Sequence, residues 1–138
     1  MGLYVSHDAW HGAYSAFTRW RHQLAKSAGY WVASVNYDDG TRMDSVMLDW
    51  GHLPPGHLYG EWPETPSDPL VVLLTHQDCE GVIHPQQAGP LADRLEELLP
   101  LLPTEDDPGH IGDWRVKTQK FIDGCRAAVA AGEPLDFH

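Results

Sequence analysis

Apolar residues recur at helical spacing in three stretches of the chain, and this pattern predicts three helices. The first is expected over residues 13–28. The second begins near Pro90, a favoured first helical position, and the third ends near residue 131 after a start at Pro108 or near Asp113. The positions expected to face the core are Ala13, Phe17, Trp20, Leu24 and Ala28; Leu91, Leu95, Leu98 and Leu102; and Trp114, Thr118, Phe121, Cys125 and Ala128.

Four shorter stretches predict β-strands. Leu3–Ser6 is the first, and the aromatic and β-branched stretch Tyr30–Tyr37 is the second. A turn at residues 38–40 leads into a return strand over residues 42–50, from which Met43, Val46 and Leu48 are available for the core. Leu70–Leu74 is an unbroken apolar run, which favours a central strand that is buried on both faces.

The order of these elements predicts one α+β domain (mixed α/β) over residues 1–138. We expect a small mixed sheet of about four strands covered by three helices. A length of 138 residues suits one domain. Residues 51–69 are dense in Pro, Gly and Trp, and they therefore predict a long ordered loop.

Charge narrows the classes of partner. The net charge is -11 with histidines neutral, which argues against nucleic acid and anionic membranes. Basic proteins and metal cations are compatible partners, although acidity alone also keeps a protein soluble. The N-terminus lacks a signal-peptide pattern, and no apolar run approaches the ~20 residues that span a bilayer. A cytoplasmic location is expected, with Cys79 and Cys125 as free thiols.

Polar and ionisable residues are concentrated at positions 75–81, directly after the expected central strand. In open α/β sheets, ligands bind beyond the carboxyl ends of strands. The first strand ends in a second polar cluster, and the two clusters would meet at one edge if these strands were parallel neighbours. We therefore expect a binding pocket at the sheet edge lined by His7, Asp8, His76, Asp78 and Glu80.

Three chemistries suit these residues. A divalent metal such as zinc could be held by a subset of His7, Asp8, His11, His76 and Asp78, all of which are competent ligand types. Cysteine-dependent or metal-dependent hydrolysis would use Cys79, Asp78 and His76 as catalytic candidates, with His7, His76 or His84 as the base. Plain recognition of a small molecule or a partner protein needs only hydrogen bonds and stacking. Against all three, aspartates commonly cap turns, and Cys79 could be a small buried residue.

Arg19 and Arg21 flank an apolar-face tryptophan of the first helix. Either guanidinium could reach the expected site as an anion clamp, because its planar donors suit phosphate and carboxylate. Both could equally be surface charges that pair with this acidic chain.

Three segments together resemble small uncharacterised proteins of actinobacterial bacteriophages and their hosts. They are residues 6–21, residues 74–81, and residues 120–128 with Gly132-Glu133. The resemblance covers most of the chain except the proline-rich loop, and it implies no established activity. Gln77 stands where the family pattern has serine, so that side chain is not expected to act directly.

The function expected from the sequence is that of a small acidic binding protein, with a phage origin implied by the resemblance. Its ligand would be a small molecule, a metal ion or a host protein. The first alternative is a hydrolase that uses the same residues. The second is an interaction protein that has no ligand site and whose tryptophans, Trp62 or Trp114, form an interface. The sequence leaves the oligomeric state open.

Overall fold

The computed structural model describes residues 2–47, 68–76, 80–103 and 113–138. These residues form four α-helices and three antiparallel two-stranded sheets, β1–β2, β3–β4 and β5–β6. The helices are α1 (Tyr14–Ser27), α2 (Leu70–Leu74), α3 (Pro85–Leu98) and α4 (Trp114–Ala131); the strands are β1 (Gly2–Val5), β2 (Trp10–Ala13), β3 (Val32–Asn36), β4 (Arg42–Val46), β5 (Val82–Ile83) and β6 (Leu135–Asp136). The predicted α+β class is confirmed. The predicted single sheet of about four strands is wrong, because the strands form three separate pairs.

A tight turn joins β1 to β2. The backbone N–H of Ala9 donates to the carbonyl of Ser6 over 3.3 Å, and His7 and Asp8 between them have φ of 58° and 56°. Two consecutive central residues with positive φ are the mark of a type I′ hairpin turn, whose twist matches that of the flanking strands. His7 and Asp8 therefore shape a hairpin that the sequence pattern did not predict.

The apolar run at residues 70–74 forms helix α2 and not the predicted central strand. Pro69 precedes it with φ of -58°, and Asp68 accepts a hydrogen bond from the backbone N–H of Leu70 over 3.0 Å. The prediction of burial was right, since Leu70, Val71, Val72 and Leu73 are all buried. An apolar run this short does not distinguish a buried strand from a buried helix. His76 therefore follows the end of a helix and not the end of a strand.

The core lies between α1, α2, α3 and α4, together with the first hairpin. α3 and α4 pack against each other along their length. Trp20 of α1 donates a buried indole N–H to the hydroxyl of Thr118 in α4 over 2.9 Å. All five positions predicted to face inward from the last helix are buried, and so are the four of the preceding helix. Helix α3 begins at Pro85, five residues before the predicted start, because His84 and Gln87 cap it reciprocally.

The C-terminal residues lie beside β1. Tyr4 and His138 exchange backbone hydrogen bonds of 2.8 and 2.9 Å, and Val5 forms an isolated antiparallel bridge with Phe137. The backbone N–H of Phe137 donates to the carbonyl of Gly81 over 2.9 Å. The last residues of the chain thus connect the first hairpin to the β5–β6 pair. In the ranges that the structure describes, no helix is long and apolar enough to cross a membrane.

Candidate functional site

The predicted ligands near the N-terminus lie on the surface of the first hairpin. The side chain of Asp8 is 78% exposed, and its carboxylate lies 3.3 Å from the ammonium of Lys120 on α4. His11 is exposed on β2, with its ring edge-on to that of Tyr4. An ion pair this exposed contributes little to stability. The arrangement suits a structural role for Asp8 in the turn better than a role as a buried ligand.

His76 occupies a different kind of position, between three elements. Its Nε2 lies 3.0 Å from the carbonyl oxygen of Val82, and its ring stacks on Phe137 with 4.0 Å between centroids. Its own carbonyl accepts a 2.6 Å hydrogen bond from Arg21. These contacts connect the end of α2 to α1, β5 and the C-terminal segment. They indicate that His76 stabilises the fold.

The two polar clusters predicted to meet both adjoin the C-terminal segment. Ser6, next to His7, donates its backbone N–H to the carbonyl of Asp136 over 2.9 Å, while His76 stacks on the following Phe137. Glu80 is exposed before β5. Gln77, Asp78, Cys79 and Trp62 lie outside the described residues, so their predicted roles stay predictions.

A metal site remains a prediction as well. Among the described ranges, which omit residues 77–79, no three His, Cys, Asp or Glu side chains are arranged to hold a metal ion. The metal ligands predicted together with Asp78 therefore stay predictions.

The structure explains the positions of Arg21 and Trp114. Arg21 donates to the carbonyls of Leu73 and His76 at the end of α2, with its guanidinium carbon 4.7 Å from the centre of the Phe17 ring. A cation at the carbonyl end of a helix is favourable, so this contact explains the residue without an anion ligand. Trp114 is buried in the core and does not belong to an exposed interface.

The β3–β4 hairpin presents its apolar side chains to solvent. The register pairs Val35 with Met43, and Met47 donates its backbone N–H to Trp31. Side chains alternate between the two faces of a hairpin, so one face collects every second residue. We call this the outer face; it consists of Trp31, Ala33, Val35, Tyr37, Met43, Ser45 and Met47. Its five large apolar residues are 47 to 70% exposed.

The opposite face of the same hairpin carries four polar side chains between two valines, and it lies toward α1. Ser34 donates its hydroxyl to Asp44 over 2.6 Å, and Arg42 Nε lies 2.9 Å from the same carboxylate oxygen. These hydrogen bonds hold the pKa of Asp44 below its ordinary value, with the Ser34 hydroxyl contributing most. We call this the inner face; it consists of Val32, Ser34, Asn36, Arg42, Asp44 and Val46.

The predicted hairpin is confirmed, but one residue that was available for the core lies at the surface. Met43 was expected in the core, yet it is 55% exposed. The missed signal was the period-2 pattern at residues 31, 33, 35 and 37, which by itself predicts one apolar face without saying whether the protein covers it. Leu48 lies outside the described residues.

No protein-family model, curated protein or solved structure matches this chain. The resemblance to actinobacterial phage proteins therefore stays a prediction. Function is inferred below from the surface of the protein itself.

Proposed function

We propose that this protein is a binding protein that holds a basic, apolar segment of another protein on the outer face of the β3–β4 hairpin. The observation that carries the proposal is the exposure of five large apolar side chains on one face of one hairpin. Soluble proteins rarely expose contiguous apolar patches larger than a few hundred Å², and such patches commonly mark interaction sites.

The chemistry of the surface favours a cationic partner over a second copy. The chain carries a net charge of -11, and Asp38 and Asp39 stand exposed at the tip of the hairpin. Two copies would repel each other, whereas Lys or Arg residues beside an apolar strand would be attracted. In the described part of the chain, β3 and β4 pair only with each other. A partner strand could therefore add its backbone hydrogen bonds at an edge.

The first test is whether the outer face is open in the free protein. Met43 and Met47 lie on this face, and oxidation by peroxide followed by peptide mass spectrometry reports their accessibility. We expect both to oxidise at rates close to those of the unfolded chain. Protection of both residues in the free protein would mean that the face is already covered, and it would overturn the proposal.

The second test uses a synthetic peptide with alternating valine and lysine, compared with the same peptide carrying glutamate. We expect the lysine peptide to bind, to protect Met43 from oxidation, and to bind at least about ten-fold more weakly to the double variant Val35→Thr, Met43→Thr. Val116→Thr is the matched control, because Val116 is a comparably exposed apolar residue on α4. Equal binding of the two peptides, absence of binding, or dimerisation in sedimentation velocity would contradict the proposal.

A further inference from the structure

The hydrogen bonds of the β3–β4 hairpin show which backbone groups each strand directs at its partner. Tyr37 donates its backbone N–H to the carbonyl of Thr41 over 2.8 Å, and Met47 donates its own to Trp31 over 2.9 Å. In an antiparallel pair, successive residues point their backbone groups alternately toward the partner strand and away from it. The odd-numbered residues of β3 therefore bond to β4, and the even-numbered residues point to the opposite edge.

The even-numbered residues of β3 are Val32, Ser34 and Asn36. Within the described ranges, the structure shows no hydrogen bond to the backbone N–H or carbonyl of any of them. Ser34 and Asn36 are exposed, so this edge faces solvent. The unpaired backbone groups of an edge strand are a template for another strand.

The corresponding edge of β4 is less suited to pairing. Its outward-pointing residues are Arg42, Asp44 and Val46, of which the last two are partly buried. Arg42 and Asp44 form an ion pair of 2.9 Å. Charged side chains on an edge strand disfavour the addition of a further strand. The sequence of β3, Val-Ala-Ser-Val-Asn, contains neither a charged residue nor a proline, so the edge of β3 is the more receptive one.

We propose that the partner segment pairs with the free edge of β3 as an antiparallel strand and thereby extends the outer face. The inference rests on the proposed function, because its occupant is the same basic, apolar segment. Antiparallel pairing is the more stable arrangement per residue. Asp38 and Asp39 directly follow the strand in a chain of net charge -11, which favours a segment that carries lysine or arginine.

This pairing determines which amides of the segment bond to β3. Residues directly opposite each other in antiparallel strands carry their side chains on the same face. Segment residues opposite Ser34 and Asn36 exchange hydrogen bonds with β3, and their side chains lie on the side of the inner face. Segment residues opposite Ala33 and Val35 extend the apolar outer face, and their N–H groups point away from β3. In a peptide of alternating valine and lysine, the lysine amides therefore bond to β3 and the valine amides do not.

The experiment measures binding of three peptides to the wild-type protein by isothermal titration calorimetry. They are the valine–lysine peptide, the same peptide with backbone N-methylation at its lysines, and the same peptide with backbone N-methylation at its valines. We expect methylation at lysine to weaken binding at least about ten-fold, and methylation at valine to change it by less than about two-fold. Equal effects, or a larger effect at valine, would overturn the proposal and leave the proposed function standing. No binding of the unmethylated peptide would instead refute the proposed function, and this inference with it.

A matched pair of variants tests the edge from the side of the protein. Val32→Pro removes an outward-pointing N–H from β3, and Val46→Pro does the same on β4 at its cross-strand partner. Proline is tolerated on edge strands where the N–H faces solvent. We expect Val32→Pro to weaken peptide binding at least about five-fold and Val46→Pro to leave it unchanged, with wild-type circular dichroism spectra for both. Equal affinities of the two folded variants would overturn the proposal. Dimerisation of the free protein that Val32→Pro abolishes would assign the edge to a second copy and would also overturn it.

Discussion

The imidazole of His76 stacks on the ring of Phe137, with 4.0 Å between the ring centroids and 30° between the planes. Phe137 in turn bridges Val5 of the first hairpin and donates its backbone N–H to Gly81. The residue that sequence reasoning placed in a ligand pocket thus holds the end of α2 against the C-terminal segment.

Replacement of His76 by alanine should therefore reduce stability. The variant loses the ring stack and the hydrogen bond to the carbonyl of Val82, so we expect the free energy of unfolding to fall by about 1–3 kcal/mol. Urea denaturation followed by circular dichroism measures the difference. His11→Ala, at an exposed position on β2, is the matched control and should change stability by less than about 0.5 kcal/mol. Equal effects of the two substitutions would contradict the structural role of His76.

Gly124 of α4 has no room for a side chain. A Cβ at this position would contact the Cβ of Ala9 and would lie 2.8 Å from its Cα, in the turn of the first hairpin. We expect Gly124→Ala to destabilise the protein by about 1–3 kcal/mol, although alanine is the better helix former.

Gly89 is the matched control, because it also lies inside a helix. A Cβ there would meet Val129 Cγ2 at 3.9 Å, an ordinary contact. Gly89→Ala should therefore change the free energy of unfolding by less than about 1 kcal/mol, because the gain in helix propensity is offset by the crowding of a Cβ against the ring of Pro90. Thermal unfolding measures the stability of both variants. Stabilisation by both substitutions would show that α4 does not approach Ala9 closely.

The three long amphipathic helices were largely predictable from sequence. In α4, Asp113 caps the helix, Gly132 ends it with φ of 66°, and the apolar residues follow the helical period. Both ends and the buried face therefore have local chemical signals. Helix α2 has no such signals in its five apolar residues, and the choice of helix over strand depends on Asp68 and Pro69 before it.

The candidate site was less predictable, for a physical reason. Alternation in β3 and β4 indicates that one face is apolar, but only the tertiary arrangement decides which face meets α1. Likewise, His7 and Asp8 resemble a ligand pair in sequence, yet their positive φ values make them turn residues. Short-range patterns specify the local element, and the burial of its faces depends on residues far away in the chain.

Thr118 supplies the acceptor for the buried indole of Trp20 and donates its own hydroxyl to the carbonyl of Trp114 over 2.8 Å. Thr118→Val keeps the shape but leaves the indole N–H without its acceptor, so stability should fall by about 1–3 kcal/mol. Thr118→Ser retains the hydroxyl and should lose less. Urea denaturation monitored by tryptophan fluorescence compares the two, and a valine variant as stable as the serine variant would contradict the role of the hydrogen bond.

Cys125 should be unreactive in the folded protein. It is buried on the inner side of α4, and burial raises the pKa of its thiol to about 12. Because the thiolate is the reactive form, alkylation should require unfolding. The measurement is the rate of iodoacetamide modification in a Cys79→Ser background, with the additional substitution Ala127→Cys as an exposed control on the same helix. Rapid modification of Cys125 in the native protein would show that this part of the core opens readily.

The same thiol gives stability a defined dependence on pH. The pKa rises from 9.0 when the thiol is unfolded to about 12 when it is folded, so above pH 9.0 the unfolded state releases its proton first. The stability contributed by the buried neutral thiol is therefore complete below pH 9.0 and declines as the pH rises toward 12. The free energy of unfolding of Cys79→Ser should fall more steeply between pH 9.0 and about pH 11 than that of Cys79→Ser with Cys125→Ala, by up to about 1.4 kcal/mol per pH unit. Parallel curves for the two proteins would mean that the thiol titrates alike in the folded and unfolded states, and they would contradict its burial on α4.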